Sequence, residues 1–186
     1  MSNPIELAID AVHQLMGHSP HPAIVTVPLG AWTVSNVCDG LAVATGRDEF
    51  DDAASISMAV GLVGAAGAVV TGLRDYSHIP QDRPSHEVAT AHGLTNAVAV
   101  SLVAASYILR SRDRAAGRPT GLGARLLGVA GGGASLYAAW LGGKLVEEMG
   151  EGVQPMEAIR EGMEHGEEGH GRHRLAPDSP LGLAHG

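Results

Sequence analysis

Bulky aromatic side chains are scarce in this sequence. Its 186 residues include one Phe, two Trp and three Tyr, against 26 Gly. A soluble domain of this length ordinarily fills its core with large apolar side chains. The composition therefore argues against an ordinary soluble domain.

Cysteine and basic residues are also few. The single cysteine, Cys38, cannot form an internal disulfide and excludes a Cys-rich zinc site. Twelve Lys and Arg residues stand against 20 Asp and Glu residues, which gives a formal net charge of -8. Because nucleic-acid phosphates require a basic protein face, this balance excludes nucleic acid as the expected partner.

Long stretches without Asp, Glu, Lys or Arg are what the sequence has instead. Crossing the hydrocarbon core of a bilayer takes about 20 apolar residues, and four stretches approach that length: residues 11–38, 53–73, 88–109 and 126–143. They predict an all-α fold, a four-helix transmembrane bundle within a membrane domain at residues 20–153. The expected spans are about 22–45, 53–73, 87–109 and 122–146. A soluble Ala/Gly-rich helical bundle is the alternative.

The two ends of the chain differ from this membrane domain. Residues 1–19 form an N-terminal amphipathic segment, predicted to be a short helix lying on the membrane surface. Residues 154–186 begin with an amphipathic pattern that would suit either a partner-binding or a surface-lying helix. They continue into a His-rich tail with the composition of a disordered segment.

Arginine counting predicts the orientation. The connection between the third and fourth spans carries five arginines and one opposing acid. Because short cytoplasmic loops are enriched in basic residues, this loop is expected to be cytoplasmic, with both termini outside. The preference for Arg over Lys indicates a bacterial source, and so a multi-pass protein of the bacterial plasma (inner) membrane.

The third span carries a buried ionisable group. His92 is expected about six residues inside this helix, with Asn96 one turn below it on the same face. An ionisable residue at such depth is a functional hypothesis by default. The structural alternative is a neutral histidine hydrogen-bonded to Asn96 and a neighbouring helix. Asp39, near the other end of the first span, is expected to have a loop-proximal, snorkelling or capping role.

Four motifs in order resemble the signatures of an uncharacterised family of four-helix predicted membrane proteins, domain of unknown function 2231. They are "HPAIVTVPLGAWTVSNVCDG", "TGLRDYSH", "AHGLTN" and "LGGKLVEEMGEGV", and the resemblance covers about residues 20–153. It implies a bacterial membrane domain whose pattern falls on His21, Pro22, Pro28, Asp39, Gly72, Asp75, His92, Asn96, Gly142 and Gly143.

The resemblance also implies electron transfer, since some relatives continue into a Rieske iron–sulfur domain or occur with cytochrome domains. This chain has no Rieske cysteines, and Thr26 stands where many members carry another histidine. One form of the electron-transfer hypothesis is a haem b between helices, with His92 as one axial ligand, His21 as the other candidate, and Asn96, Gly142 and Gly143 beside it. Six residues of helix place His92 about 9 Å below the mouth of its span, which counts against this pairing. A re-entrant start to the first span, helped by Pro22 and Pro28, would close that gap in depth. A divalent-metal site of His21, Asp75, His86 and His92 is the other form of this hypothesis.

A non-catalytic role is the second functional class. The sequence shows no nucleophile–base arrangement, phosphate loop or paired catalytic acids, so an enzyme acting on its own is not expected. The leading prediction is a membrane anchor or assembly subunit whose polar residues fix helix packing. Its partners would be the lipid bilayer and a redox or other membrane protein, and homo-oligomerisation is left open.

Overall fold

The computed structural model describes residues 18–152 together with Pro4 and Leu7, and the regular secondary structure of this part of the chain is α-helical. The helices are α1 His21–Ile24, α2 Thr26–Thr45, α3 Asp48–Ser77, α4 Pro84–Ala115 and α5 Leu122–Glu147. The predicted all-α four-helix bundle is confirmed, with α1 as a short addition before α2. Most of the predicted N-terminal surface segment and the whole predicted tail at 154–186 lie outside the described residues.

Two of the helices run past the charge-free stretches that predicted them. Helix α3 begins with acidic residues in its first turn, at Asp48, Glu49 and Asp51, and α4 carries Arg112 and Arg114 in its last turn. Acidic side chains stabilise the positive N-terminal end of a helix dipole, and basic side chains stabilise its negative C-terminal end. Charged residues that end a membrane-compatible stretch therefore still extend the helix.

A proline explains why the first membrane helix is divided. Pro28 has no N–H to donate, and its ring crowds the carbonyl of the residue four positions earlier, which is Ile24. Helix α1 ends at Ile24, and α2 resumes at Thr26. His21 therefore lies on the short helix α1, ahead of the long helix α2.

The helices form two antiparallel hairpins. Helices α1 and α2 pack mainly on α3, which we call the N-terminal hairpin, and α4 packs mainly on α5, which we call the C-terminal hairpin. Contacts between the hairpins are far sparser. Glycines with positive φ, Gly46 at 70° and Gly117 at 64°, follow α2 and α4, where the left-handed conformation closes a helix at no steric cost.

The middle of the bundle is apolar and joins the two hairpins. Its buried cluster consists of Trp32 from α2, Met58 and Ala65 from α3, and Ala99 and Val103 from α4. The indole of Trp32 lies directly against Gly61, where a Cβ atom would stand only 2.2 Å from the indole nitrogen. Small residues thus let helices approach closely, as is typical of bundles in lipid.

Helices α3 and α4 are each long and apolar enough to cross a membrane, judged by length and composition. Only 28% and 17% of their most apolar windows are buried within the chain. The remaining apolar surface faces outward, as lipid-facing helices require. Helices α2 and α5 do not meet the same measure of length and hydropathy, so four complete spans stay a prediction.

Candidate functional site

Polar side chains gather at opposite ends of the bundle. We call one the histidine end, formed around His21, Thr71, Asp75, His92 and Asn96 at the start of α1 and α4 and the end of α3. The other is the arginine end, formed around Asp39, Asp51, Arg110 and Arg125 at the end of α2 and α4 and the start of α3 and α5. The candidate site predicted from the sequence lies at the histidine end.

The N-terminal hairpin contributes a self-contained set of hydrogen bonds to the histidine end. The Thr71 hydroxyl donates its proton toward the carbonyls of Gly67 and Ala68, which lie at 3.1 and 3.2 Å. Because its proton is used there, the hydroxyl accepts a hydrogen bond from Nδ1 of His21 at 3.1 Å. The Ser19 hydroxyl donates to Asp75 Oδ2 at 2.5 Å and accepts from the backbone N–H of His21 at 3.1 Å. The hydrogen bond to Thr71 places the proton of His21 on Nδ1.

The electrostatic surroundings of His21 favour its neutral form. Burial lowers the pKa of the imidazole below its ordinary value of 6.5, and this is the largest effect. The Asp75 carboxylate opposes the shift, whereas His92 acts in the same direction as burial. At neutral pH the ring is an uncharged base with its Nε2 lone pair available.

The C-terminal hairpin holds His92 at both ring nitrogens. Nδ1 donates to the Ala138 carbonyl of α5 at 2.8 Å, which fixes the proton on that atom. Nε2 accepts from the Asn96 amide at 3.1 Å, and the same amide group donates to the His92 carbonyl at 3.1 Å. This is the geometry of the structural alternative, a neutral histidine bonded to Asn96 and a neighbouring helix.

The two histidine rings meet across the boundary between the hairpins. Their centroids are 6.3 Å apart, and the ring planes are nearly perpendicular, at 87°. Tyr76 adds a hydrogen bond of 2.8 Å to Thr90 and a ring contact of 4.8 Å with His86. The sequence-predicted pair of His21 and His92 is thus brought together, with α1 closing the gap in depth that separated them.

Glycines make room for each ring within its own hairpin. A Cβ atom on Gly72 would lie 2.8 Å from Cε1 of His21, and one on Gly142 would lie 3.1 Å from Cε1 of His92. Gly143 has open space where its Cβ would stand. Gly72 and Gly142 therefore seat imidazole rings directly against helix backbone.

The four residues of the predicted metal site do not form one cluster. His86 lies against Tyr76, and Asp75 bonds to Ser19 and lies 3.9 Å from Arg74. Within the part of the chain that the structure describes, no group of three or more His, Cys, Asp or Glu side chains is placed to hold a metal ion. The four-ligand site stays a prediction that this arrangement does not favour.

The arginine end is an ion network in which each arginine contacts both acids. Arg110 pairs with Asp39 and lies 3.8 Å from Asp51, while Arg125 reaches Asp39 at 2.7 Å and Asp51 at 2.9 Å. The side chains of Arg110 and Asp39 are only 2% and 5% exposed. Asp51 also accepts from the Thr120 hydroxyl at 2.7 Å. Four helices thus meet at four paired charges.

A protein-family model described as predicted membrane protein (DUF2231) matches residues 17–155. The chain belongs to this family. No curated protein and no solved structure matches it. Membership agrees with the motifs recognised in the sequence and makes the lipid bilayer the surroundings of this DUF2231 protein.

The sequence reasoning on this DUF2231 protein missed the ion network. Asp39 was expected to have a loop-proximal, snorkelling or capping role, but its carboxylate is buried between two arginines. The missed signal is that charges flank the apolar stretches at one common end, where Asp39 and Arg110 directly follow two of them and Asp51 and Arg125 precede the others. Antiparallel helices bring such positions to one level of the bundle.

Proposed function

We propose that the chain is a non-catalytic integral membrane subunit that anchors another protein or helps to assemble it. It lies in the bacterial plasma membrane as a multi-pass bundle with both termini outside. The observation that carries this proposal is the state of His92, whose two ring nitrogens are both used to join α4 to α5 and to Asn96. Because both ring nitrogens form hydrogen bonds, His92 fixes helix packing and has neither nitrogen free to bind a ligand or to transfer a proton.

The charges support the same conclusion. A catalytic acid or base needs a titratable group that is free to exchange a proton with a substrate. At the arginine end, Asp39 and Asp51 are each paired with arginine. The strongest electrostatic interactions of the bundle therefore serve to connect helices.

Arginines at one end of the bundle support the orientation. Arg112, Arg114 and Arg118 lie at or beyond the end of α4, in and beside the short connection to α5. Such juxtamembrane arginines face the cytoplasm in membrane proteins. The histidine end would then face outward, as would the region after residue 152 that we propose to contact the partner.

A pair of truncations tests the anchoring role. In the native membrane, site-specific photo-crosslinkers placed along the exposed face of α5 would capture a partner held by the full chain. Ending the chain at residue 152 is expected to abolish a specific crosslink while leaving the protein in the membrane fraction. Ending it at residue 163, which removes only the His-rich tail, is the matched control and should retain the crosslink. A crosslink unchanged by both truncations would overturn docking through residues 153–163.

The second candidate function is electron transfer through a haem b or a divalent metal held by His21 and His92. The favouring observation is their ring separation of 6.3 Å. With metal–nitrogen bonds of about 2 Å, two imidazoles on one metal place their ring centres about 6 Å apart. In addition, each ring donates its Nδ1 proton within its own hairpin, an arrangement that commonly orients a ligating histidine.

Binding such a ligand would require a rearrangement at His92. Both Nε2 atoms would have to bind, and Nε2 of His92 accepts a hydrogen bond from Asn96. The Asn96 amide would therefore have to turn away. A bound group would add redox chemistry, and these residues would supply its two nitrogen ligands.

A visible absorption spectrum separates the two candidates. The full-length protein would be purified in detergent from cells supplied with haem, and its spectrum recorded before and after dithionite reduction, with metal analysis of the same sample. Anchoring predicts no stoichiometric haem and no stoichiometric metal. A stoichiometric haem spectrum that is lost in His92→Ala but kept in Thr90→Ala would establish the electron-transfer candidate.

A further inference from the structure

The two ends of the bundle connect the hairpins in opposite ways. At the histidine end, the hydrogen bonds of His21 run to the N-terminal hairpin, and those of His92 run to the C-terminal hairpin. Gly72 and Gly142 likewise seat each ring within its own hairpin. Each half of this end is polar but already satisfied without the other half.

At the arginine end, the ion pairs cross between the hairpins. Both acids, Asp39 and Asp51, belong to the N-terminal hairpin, and both bases, Arg110 and Arg125, belong to the C-terminal hairpin. Separating the hairpins here would leave charges of one sign on each of them. Unpaired charge in a low-dielectric interior is strongly unfavourable.

Among the described residues, the five that define the histidine end have no ion pair across the boundary between the hairpins. The contact between His21 and His92 is an edge-to-face approach of two rings, and Tyr76 adds a hydrogen bond to Thr90 close to the short connection between α3 and α4. In lipid, apolar helix faces gain little from hydrophobic association, so the apolar middle of the bundle resists a small tilt only through packing.

We infer that the bundle opens at the histidine end, with the arginine end as its fixed hinge. The opening lies between α1 and α5, on the side away from the connection between α3 and α4. It makes Nε2 of His21 and the ring of His92 accessible from that face of the membrane. Hinge motions of this kind pivot on a few fixed residues while packed elements move as rigid bodies.

This opening does not depend on the proposed function. In an anchor the opening would admit side chains of a partner protein, and in a redox subunit it would admit the haem or the metal ion. In both cases a ligand that contacts both histidines would favour a closed state, because it would join His21 of one hairpin to His92 of the other.

Paired spin labels measure the inference directly. The full chain, in a Cys38→Ala background and in phospholipid nanodiscs, would carry labels on Ala23→Cys and Val146→Cys at the histidine end. A second preparation would carry them on Thr45→Cys and Leu122→Cys at the arginine end. Each pair joins the N-terminal hairpin to α5, and the four positions are solvent- or lipid-exposed.

The expected result is a broad distance distribution at the histidine end, with a population shifted to longer distance, and a narrow one at the arginine end. Distributions equally narrow at both ends, or broader at the arginine end, would overturn the inference.

Two further variants test the hinge. Asp39→Asn removes the carboxylate shared by both arginines and is expected to broaden the arginine-end distribution. Asp52→Asn removes an exposed pair with Arg114 at the same end and should leave it unchanged. If Asp39→Asn leaves the distribution as narrow as in the parent protein, the ion network is not the hinge.

Discussion

The arginine end and the histidine end are both polar, yet their bonding differs in direction. Arg110 and Arg125 reach across to the other hairpin, whereas His21 and His92 bond within their own. Polar groups in this membrane bundle therefore have two separate roles. Some form ion pairs that join the two hairpins, and others form hydrogen bonds within one hairpin.

This division also separates stability from function. Bonds that cross the hairpins determine whether the bundle holds together, so changes there should have large global effects. Bonds within a hairpin leave the shared boundary free to move or to accept a ligand, so changes there should be smaller and local.

The largest effect is expected from Asp39→Asn. The change removes the closer of the two carboxylates that contact Arg110, whose side chain is 2% exposed, and removing one partner of a buried ion pair costs about 3–5 kcal/mol. The free energy of unfolding, measured by denaturant titration in detergent micelles, should fall by that amount.

The control for this change lies at the same end of the bundle. Asp52 pairs with Arg114 at 2.7 Å, but their side chains are 66% and 56% exposed. Asp52→Asn should therefore cost at most about 1 kcal/mol. Equal losses in the two variants would mean that burial does not distinguish the network from an ordinary surface pair.

A smaller effect is expected when a glycine at the histidine end is filled. In Gly72→Ala the new Cβ would lie 2.8 Å from the His21 ring, and overpacking of this kind costs about 1–3 kcal/mol. Gly93→Ala, which places its Cβ in open space, is the matched control and should be neutral or stabilising. Thermal unfolding in detergent compares the two, and indistinguishable midpoints would contradict the close seat seen for His21.

The next effect concerns the hydrogen bonds of one side-chain amide. Asn96→Leu removes the amide that donates to Nε2 and to the carbonyl of His92, and the loss of each such bond costs about 1 kcal/mol. Because both bonds lie within α4, the spin-label distance across the hairpins should not change. Thr95→Leu, which removes an exposed hydroxyl one position earlier, serves as the control. A changed cross-hairpin distance in Asn96→Leu alone would show that Asn96 also links the hairpins.

The sequence predicted what depends on one helix at a time. Charge-free stretches predicted the long helices, and the spacing of His92 and Asn96 predicted their contact one turn apart. The network around Asp39 was not predicted, because it joins side chains from four helices whose relative levels depend on how the hairpins dock. The sequence does show charged residues flanking the apolar stretches at one common end. Only the antiparallel arrangement of the helices shows that these charges lie at the same level and can pair.

The placement of His21 shows the same limit in a more local form. Pro22 and Pro28 favoured a re-entrant start to the first span, which stays a prediction; the structure shows a division between α1 and α2 at Val25. The meeting of His21 with His92 needed that division and the packing of α1 on α3 together. Neither follows from the helical period of one segment.

The smallest expected effect is a pH dependence at the histidine end. Burial lowers the pKa of His21 below 6.5, so the unfolded chain binds this proton at a higher pH than the folded protein does. The stability linked to His21 is therefore fully present above pH 6.5 and is lost as the pH falls from there through the lowered pKa. Unfolding midpoints measured between pH 8 and pH 5 should decrease toward acid, and His21→Asn should flatten this dependence. A profile unchanged by His21→Asn would assign the acid sensitivity to another group. If the stability of the parent protein instead rose toward acid, and His21→Asn abolished that rise, the effect of the Asp75 carboxylate on the pKa of His21 would outweigh the effect of burial.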